Sequence, residues 1–263
     1  MQNIKEYVAI KKEELKQQNT GILLSIIQVG HVPASDRYVK NKIKDCKEVG
    51  INCRLVSLPE DITEDDLLNI IDNQNNSEDI TGFLVQLPLP RHISEEKVKA
   101  AISPEKDVDG FNLLSKTVPA TPLGIYTYLK DMGYEFAGKN AVIIGRSNIV
   151  GRPMAKLLLD ESMNVTVLHS RTKQEDKVNF IKNADLVVVA TGHIDTLTKQ
   201  DYLFKPTAVI IDVGINVRED GTLIGDCQPD LPVAFQSPVP GGVGLLTRLA
   251  VIMNLKQLAN DQK

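Results

Sequence analysis

Short aliphatic runs alternate along the chain with stretches in which apolar positions recur every three or four residues. Ile4, Val8 and Leu15 fall at near-helical spacing and predict a first helix over about Gln2–Gln17, and Gly21–Val29 then reads as a buried strand. Pro33-Ala34-Ser35-Asp36 opens a second helix that ends near Gly50. Asn52–Leu58 is a second strand. Thr63 followed by Glu64, Asp65 and Asp66 caps a third helix and loads its first turn with negative charge, as the helix dipole favours. Gly82–Gln86 is a third strand, stopped by Pro88 and Pro90.

Between Pro104 and Pro122 the periodicity lapses into a loop-rich connection, which is where a domain boundary is expected. Thr121-Pro122 then supplies an N-cap with proline at the first helical position, and Gly133 closes that helix. Ala141–Ile144 is a strand that runs through a glycine-containing turn into a new helix. Later strands follow at Asn164–Leu168, Asp185–Ala190 and Ala208–Val213, and a last helix at about Gly244–Leu258. The alternation predicts an α/β fold with parallel sheets covered by helices. The expected domains are 1–120 and 121–243, with a C-terminal helical segment, 244–263, packing back on the first.

A length of 263 residues suits roughly two domains. With 42% hydrophobic and 24% charged residues the chain has the composition of a folded globular protein rather than a disordered one. Its formal net charge of −4 provides no global basic field, so neither nucleic acid nor an anionic membrane surface is an expected partner. The apolar runs are of strand length, far short of the roughly 20 residues that span a bilayer. The charged residues Lys5, Glu6, Lys11, Lys12, Glu13, Glu14 and Lys16 exclude a signal-peptide core from the start of the chain, and a cytoplasmic location is expected. Cys46, Cys53 and Cys227, together with His31, His92, His169 and His193, show no metal-ligand spacing, so no metal is expected.

Candidate chemistry sits at the punctuation of this pattern. The segment from Val142 through Gly145-Arg146-Ser147 to Gly151 is a strand, a glycine turn and a helix start, close to a dinucleotide fingerprint but with Ser147 in place of the second glycine. Read alone, it is equally an ordinary tight turn. At the end of the next strand, where NAD-specific domains place an acid for the ribose hydroxyl, the chain has His169-Ser170-Arg171-Thr172. A hydroxyl and a guanidinium suit a ribose phosphate and favour NADP; a solvated loop is the alternative. Tyr38 and Lys42 share a helix face, but Lys40, Lys44 and Lys47 lie on the same helix, and spacing alone cannot select Lys42. Gln86 ends a strand at the edge where α/β sheets present ligands. Lys106-Asp107-Val108-Asp109-Gly110 offers two carboxylates for ligand contacts or for turn formation, and Pro238–Gly244 is a rigid, side-chain-poor loop ahead of a helix.

In order along the chain, these segments closely resemble the bifunctional methylenetetrahydrofolate dehydrogenase/methenyltetrahydrofolate cyclohydrolase family. The resemblance is carried by Pro33-Ala34-Ser35 with Tyr38–Lys42, Gly82–Pro90, Pro104–Asn112, Gly145–Gly151, His169-Ser170, Asp212–Asn216 and Pro238–Gly244. It implies two α/β domains flanking a cleft, the first folate-binding and catalytic, the second a Rossmann-type NADP domain, in a homodimer. It also implies a catalytic set of Lys42, Tyr38, Gln86 and Asp109: the lysine, a stacking partner for the folate ring system, the lysine's hydrogen-bonding partner, and the carboxylate that holds the pterin. Leu87, Pro88, Pro240, Gly241 and Gly242 would complete the folate site. On the cofactor side it implies Gly145, Arg146, Ser147, Ile149, Val150 and Gly151, then His169, Ser170 and Arg171, and finally Thr191, Gly192, Gly214 and Ile215.

The chain departs from the family pattern in four places. It starts almost directly in its first helix, where family members carry a strand with Asp-Gly-Lys, so an edge strand of the first domain is expected to be absent. Ala120 stands where cysteine is common, Leu245-Leu246 replaces Pro-Met, and Gly225-Asp226-Cys227-Gln228 replaces Gly-Asp-Val-Asp. These changes spare the implied catalytic set. A monofunctional NADP-dependent dehydrogenase and a non-catalytic folate- or NADP-binding protein are the competing readings. Retention of all four catalytic positions weighs against the binding protein.

Overall fold

The computed structural model describes residues 1–16 and 21–262. Its elements run α1 (Ile4–Leu15), β1 (Leu23–Val29), α2 (Pro33–Glu48), β2 (Asn52–Leu58), α3 (Glu64–Asn76), β3 (Gly82–Val85) and α4 (Glu95–Ala101). They continue with α5 (Ala120–Asp131), β4 (Asn140–Ile144), α6 (Gly151–Asp160), β5 (Asn164–Leu168), α7 (Gln174–Lys182), β6 (Leu186–Val189) and β7 (Val209–Asp212). The short strands β8 (Asn216–Val217), β9 (Leu223–Ile224) and β10 (Phe235–Gln236) precede α8 (Val243–Asp261). No strand precedes α1 among the described residues, and the expected end of α1 at Gln17 lies outside them.

The chain divides into two compact units: Ala9–Ala120 with Arg248–Lys263, and Thr121–Thr247 with Met1–Val8. The N-terminal octapeptide thus groups apart from the rest of 1–120, contrary to the sequence expectation. Aromatic packing gives the reason, since Tyr7 meets Tyr128 edge-on at 5.1 Å and the Tyr128 hydroxyl donates to the Gln2 carbonyl.

The first unit is built on a parallel sheet of order β2-β1-β3. Central β1 is buried beyond its first residue, as a strand paired on both edges and covered on both faces must be. Ile27, Val29, Phe83 and Val85 pack against Leu67 and Ile71 of α3. The Thr63 hydroxyl accepts from the Asp66 amide at 3.1 Å, the cap its sequence position predicts. Outside β3, Phe83 N–H donates to the Lys106 carbonyl at 2.8 Å, so the loop after α4 continues the sheet edge and leads directly to Asp107 and Asp109.

The second unit carries a five-stranded parallel sheet of order β10-β7-β6-β4-β5. The chain goes from β4 to β5 on one side and then returns to β6 on the other, so the order reverses at β4. In open parallel sheets, ligands bind outside the carboxyl ends of the strands at such a switch point. β6 is Leu-Val-Val-Val and fully buried, consistent with the β-branched enrichment of covered parallel strands. Before it, α5 begins at Ala120. Thr121 therefore lies inside the first turn rather than capping it, and its hydroxyl meets that of Thr247 at 3.0 Å.

Candidate active site

Helix α2 sets the first part of the site. Proline at its first position fixes the helical start without costing a hydrogen bond, and one face then carries Tyr38, Lys42, Asp45 and Cys46 inward. Lys42 is buried, 6% exposed, whereas Lys40, Lys44 and Lys47 are all exposed, so burial makes the selection that spacing could not. Its Nζ donates to Gln86 Oε1 at 3.2 Å and lies 3.9 Å from Asp109 Oδ2. The Gln86 amide nitrogen donates to the Leu87 carbonyl at 2.8 Å, which turns its oxygen toward the lysine. Lys42, Gln86 and Asp109 are thus brought together from α2, the end of β3 and the following loop.

That loop is tightly tied. Asp107 accepts from the amides of Gly110 and Asn112, and Asn254 of α8 donates to the carbonyls of Val108 and Val118, on either side of Asp109. A Cβ on Gly110 would lie 2.6 Å from Pro119 N, so only glycine lets the strands of the loop close. Burial pushes the Asp109 carboxyl up, against the opposing pull of the Lys42 ammonium. Burial likewise pushes Asp107 up to about 6.

Behind Tyr38 and Lys42 lies a charged cluster that the sequence pattern does not reveal. Buried Asp45, three residues beyond the lysine, accepts from Lys12 Nζ and Arg248 Nε, both at 2.5 Å, and binds α1 and α8 to α2. Burial raises the Tyr38 hydroxyl pKa and the Arg248 charge opposes that rise. The i, i+3 relation of Asp45 to Lys42 was visible; its cationic partners, 33 and 203 residues distant in sequence, were not. Leu87 and Pro88 follow Gln86 directly, and Pro88 lines a cavity of about 460 Å³ with Val29, Gly30 and His31. Pro240, Gly241 and Gly242 belong to the other unit.

In the second unit a cavity of about 780 Å³ opens at the ends of β4, β5 and β6. Gly145, Arg146, Ser147, His169, Ser170 and Thr191 line it. Gly145 adopts φ +122°, and a Cβ there would lie 2.3 Å from the Ala190 carbonyl; at Gly151 a Cβ would lie 2.3 Å from the Gly145 carbonyl. Both glycines are needed for the turn to pack against β6 and α6, and the turn leaves bare backbone beside the cavity. The Ser147 hydroxyl accepts from the Val150 amide at 3.2 Å, a local cap for the start of α6. The turn after β5 is closed by Thr172 Oγ1, which accepts from the His169 amide, and it leaves Ser170 and Arg171 exposed.

Lys177 on α7 adds a cation to this wall that the sequence reading did not single out. The cavity's acids, Asp195 and Asp201, come after β6 and not at the ribose end. A cavity with a glycine turn at a helix start, hydroxyls and cations fits the phosphates of a dinucleotide. Ile149, Val150 and Gly151 lie in the turn into α6, and Gly192 follows Thr191. Gly214 and Ile215 follow β7 without lining the cavity, Gly214 buried and Ile215 half exposed.

Residues 1–109 match the tetrahydrofolate dehydrogenase/cyclohydrolase catalytic domain, and residues 119–263 match the NAD(P)-binding domain of the same family. The bifunctional protein FolD of Brevibacillus brevis is 44% identical over 273 residues, covering 99% of this chain and 95% of that one. The crystal structure of the bifunctional enzyme FolD, methylenetetrahydrofolate dehydrogenase/cyclohydrolase, from Campylobacter jejuni superposes with a TM-score of 0.93 at 39% identity, covering 99% and 98% of the two chains. The Trypanosoma brucei dehydrogenase-cyclohydrolase, complexed with NADP cofactor and inhibitor, gives 0.91 at 28% identity over 100% and 97%. Among the described residues no helix is long and apolar enough to cross a membrane. The chain therefore belongs to the bifunctional methylenetetrahydrofolate dehydrogenase/cyclohydrolase family of one-carbon metabolism.

Proposed function

We propose that the chain oxidises methylenetetrahydrofolate to methenyltetrahydrofolate with NADP and hydrolyses the product to formyltetrahydrofolate, with Lys42 as the group that handles protons. The observation that carries this reading is the buried amine of Lys42, held by Gln86 at 3.2 Å and 3.9 Å from the Asp109 carboxylate. NADP, when bound, accepts the hydride. The folate nitrogens stabilise the developing cation, so the first step draws on positioning more than on proton transfer. The second step adds water to the methenyl carbon and then breaks a C–N bond, and both events move protons. A desolvated lysine oriented by an amide serves there as acid and base. Asp109 accepts from the amino and ring N–H groups of the pterin, and Tyr38 stacks on the folate ring system. Leu87 and Pro88 belong to the folate site in this reading.

The cofactor preference rests on Arg146, Ser170 and Arg171, supported by Lys177 and by the lack of an acid at the end of β5. Replacing Ser170 with Asp weakens NADP selectively by charge repulsion with its phosphate; a wild-type enzyme with the higher kcat/KM on NAD would contradict the assignment. We further propose that the enzyme works in the cytoplasm as a homodimer joined through its second unit, where Val217 of the β8–β9 hairpin is an exposed aliphatic side chain. The deciding experiment incubates pure protein with methylenetetrahydrofolate and NADP and follows methenyl and formyl products separately. Catalysed appearance of both is expected. Accumulation of methenyl product with hydrolysis only at the background rate would reduce the chain to a dehydrogenase.

A further inference from the structure

The strand order of the second unit fixes which end of a dinucleotide goes where. The pyrophosphate belongs at the glycine turn after β4, and the adenosine ribose at the end of β5, where Ser170 and Arg171 stand. The nicotinamide half then falls on the opposite side of β4, over the ends of β6 and β7, with each strand step about 4.8 Å. Two buried carboxylates that the proposed reaction does not use lie at those ends: Asp212, the last residue of β7, and Asp226, just after β9.

Asp226 is 0% exposed and accepts four hydrogen bonds. They come from the amides of Thr191 and Gly192 at 2.7 and 2.9 Å, the Thr191 hydroxyl at 2.9 Å and the Asn216 side-chain amide at 2.9 Å. Both carboxyl oxygens thus only accept, and two of the four donors are backbone amides. Asp212 accepts from the amides of Gly214, Asp226 and Cys227 at 2.9–3.0 Å, while burial, with the neighbouring Asp226 carboxylate adding to it, pushes its carboxyl pKa up against those bonds. Neither forms an ion pair with Lys, Arg or His among the described residues. Glycine makes the burial feasible, since a Cβ on Gly214 would lie 2.1 Å from Asp226 Oδ1 and one on Gly225 1.9 Å from Asp212 Oδ2.

We propose that Asp226 is a fixed buried anion beneath the nicotinamide position that makes the enzyme favour the oxidised cofactor over the reduced one. The inference rests on the NADP reading above. The oxidised ring carries a positive charge and the reduced ring is neutral, while the rest of the dinucleotide is unchanged. Shaping the Thr191-Gly192 and Gly214–Asn216 loops therefore affects both forms alike. The uncompensated charge acts on the difference between them, favouring capture of the oxidant and release of the reduced product.

The test is equilibrium binding of NADP+ and of NADPH, each measured by calorimetry on wild type and on Asp226→Asn. Wild type is expected to bind NADP+ at least as tightly as NADPH. The variant is expected to lose roughly tenfold more affinity for NADP+ than for NADPH, the scale of one charge removed at close range in a partly solvated site. Asp226→Glu, which keeps the charge, should move the two affinities together. A ratio unchanged within about twofold in Asp226→Asn would leave the residue a merely structural tie and overturn the proposal. If that variant does not fold, wild type alone decides: a protein that binds NADPH tenfold more tightly than NADP+ refutes the proposal. Wild type that binds neither dinucleotide would sink the NADP reading instead.

Discussion

Four lysines stand on α2 between residues 40 and 47, and only Lys42 is enclosed. Replacing it with Met keeps much of the aliphatic stem and removes the charge and the transferable proton. Hydrolysis of methenyltetrahydrofolate should fall by at least roughly a hundredfold, the usual cost of losing general acid–base catalysis, while hydride transfer, measured separately with NADP, falls less. Lys40→Met and Lys44→Met, on exposed positions of the same helix, should leave both rates nearly unchanged. A well-folded Lys42→Met protein with near-normal cyclohydrolase activity would end the assignment. Sequence could propose this residue only by family resemblance, because what distinguishes it from its neighbours is enclosure by β3 and by the loop carrying Asp109. Asp107, two residues before that carboxylate, makes a prediction in pH. Its carboxyl sits at about 6 in the folded protein against an ordinary 3.8. The folded state therefore keeps its proton to higher pH than the unfolded state, and the associated stability is present below about pH 4 and lost as pH rises through about 6. In urea titrations the advantage of wild type over Asp107→Asn should shrink across that window; an advantage that grows with pH would show the carboxyl to be shifted the other way.

At the level of elements, the inner strands β1, β4, β6 and β7, together with β3, were legible because parallel strands buried on both faces read as continuous aliphatic runs. β6 is the clearest case. Two helices escaped notice for the converse reason: α4 buries only Val98, and α7 only Ile181, too little apolar periodicity to mark a helix. The start of α5 lies two residues earlier than Thr121-Pro122 suggests, because that pair has the composition of a cap, yet the threonine hydroxyl is engaged by Thr247, a tertiary partner. The two-residue strand β10 was invisible, since its pairing to β7 and not its own sequence defines it. The turn between β4 and α6 was recognisable despite its imperfect glycine pattern. Gly145→Ala tests why the first glycine is required: it places a side chain at φ +122°, 2.3 Å from the Ala190 carbonyl. A loss of at least about 2 kcal/mol in unfolding free energy is expected from strain and overpacking, with loss of NADP binding in whatever protein remains folded. An alanine variant that binds NADP normally would show that the turn has room to shift.

For the whole molecule, the homodimer is the expectation easiest to test. Aspartate at Val217, on the β8–β9 hairpin, should convert dimer to monomer in sedimentation at micromolar concentration without lowering the thermal midpoint of the second unit by more than a degree or two, because that side chain is solvent-exposed in the isolated chain. Sedimentation of wild type as monomer alone would remove the dimer from the proposal. The chain's division into units carries a different consequence, one of timing. Asn254, which donates to the carbonyls flanking Asp109, lies 146 and 136 residues beyond them in sequence. A ribosome that has made everything through Thr247 has already made both carboxylates of the Asp107–Asp109 loop, yet the part of α8 that braces them is still to be made. The Asp107–Asp109 loop is thus encoded well before the residue that braces it, and it cannot take its final form until synthesis has passed Asn254.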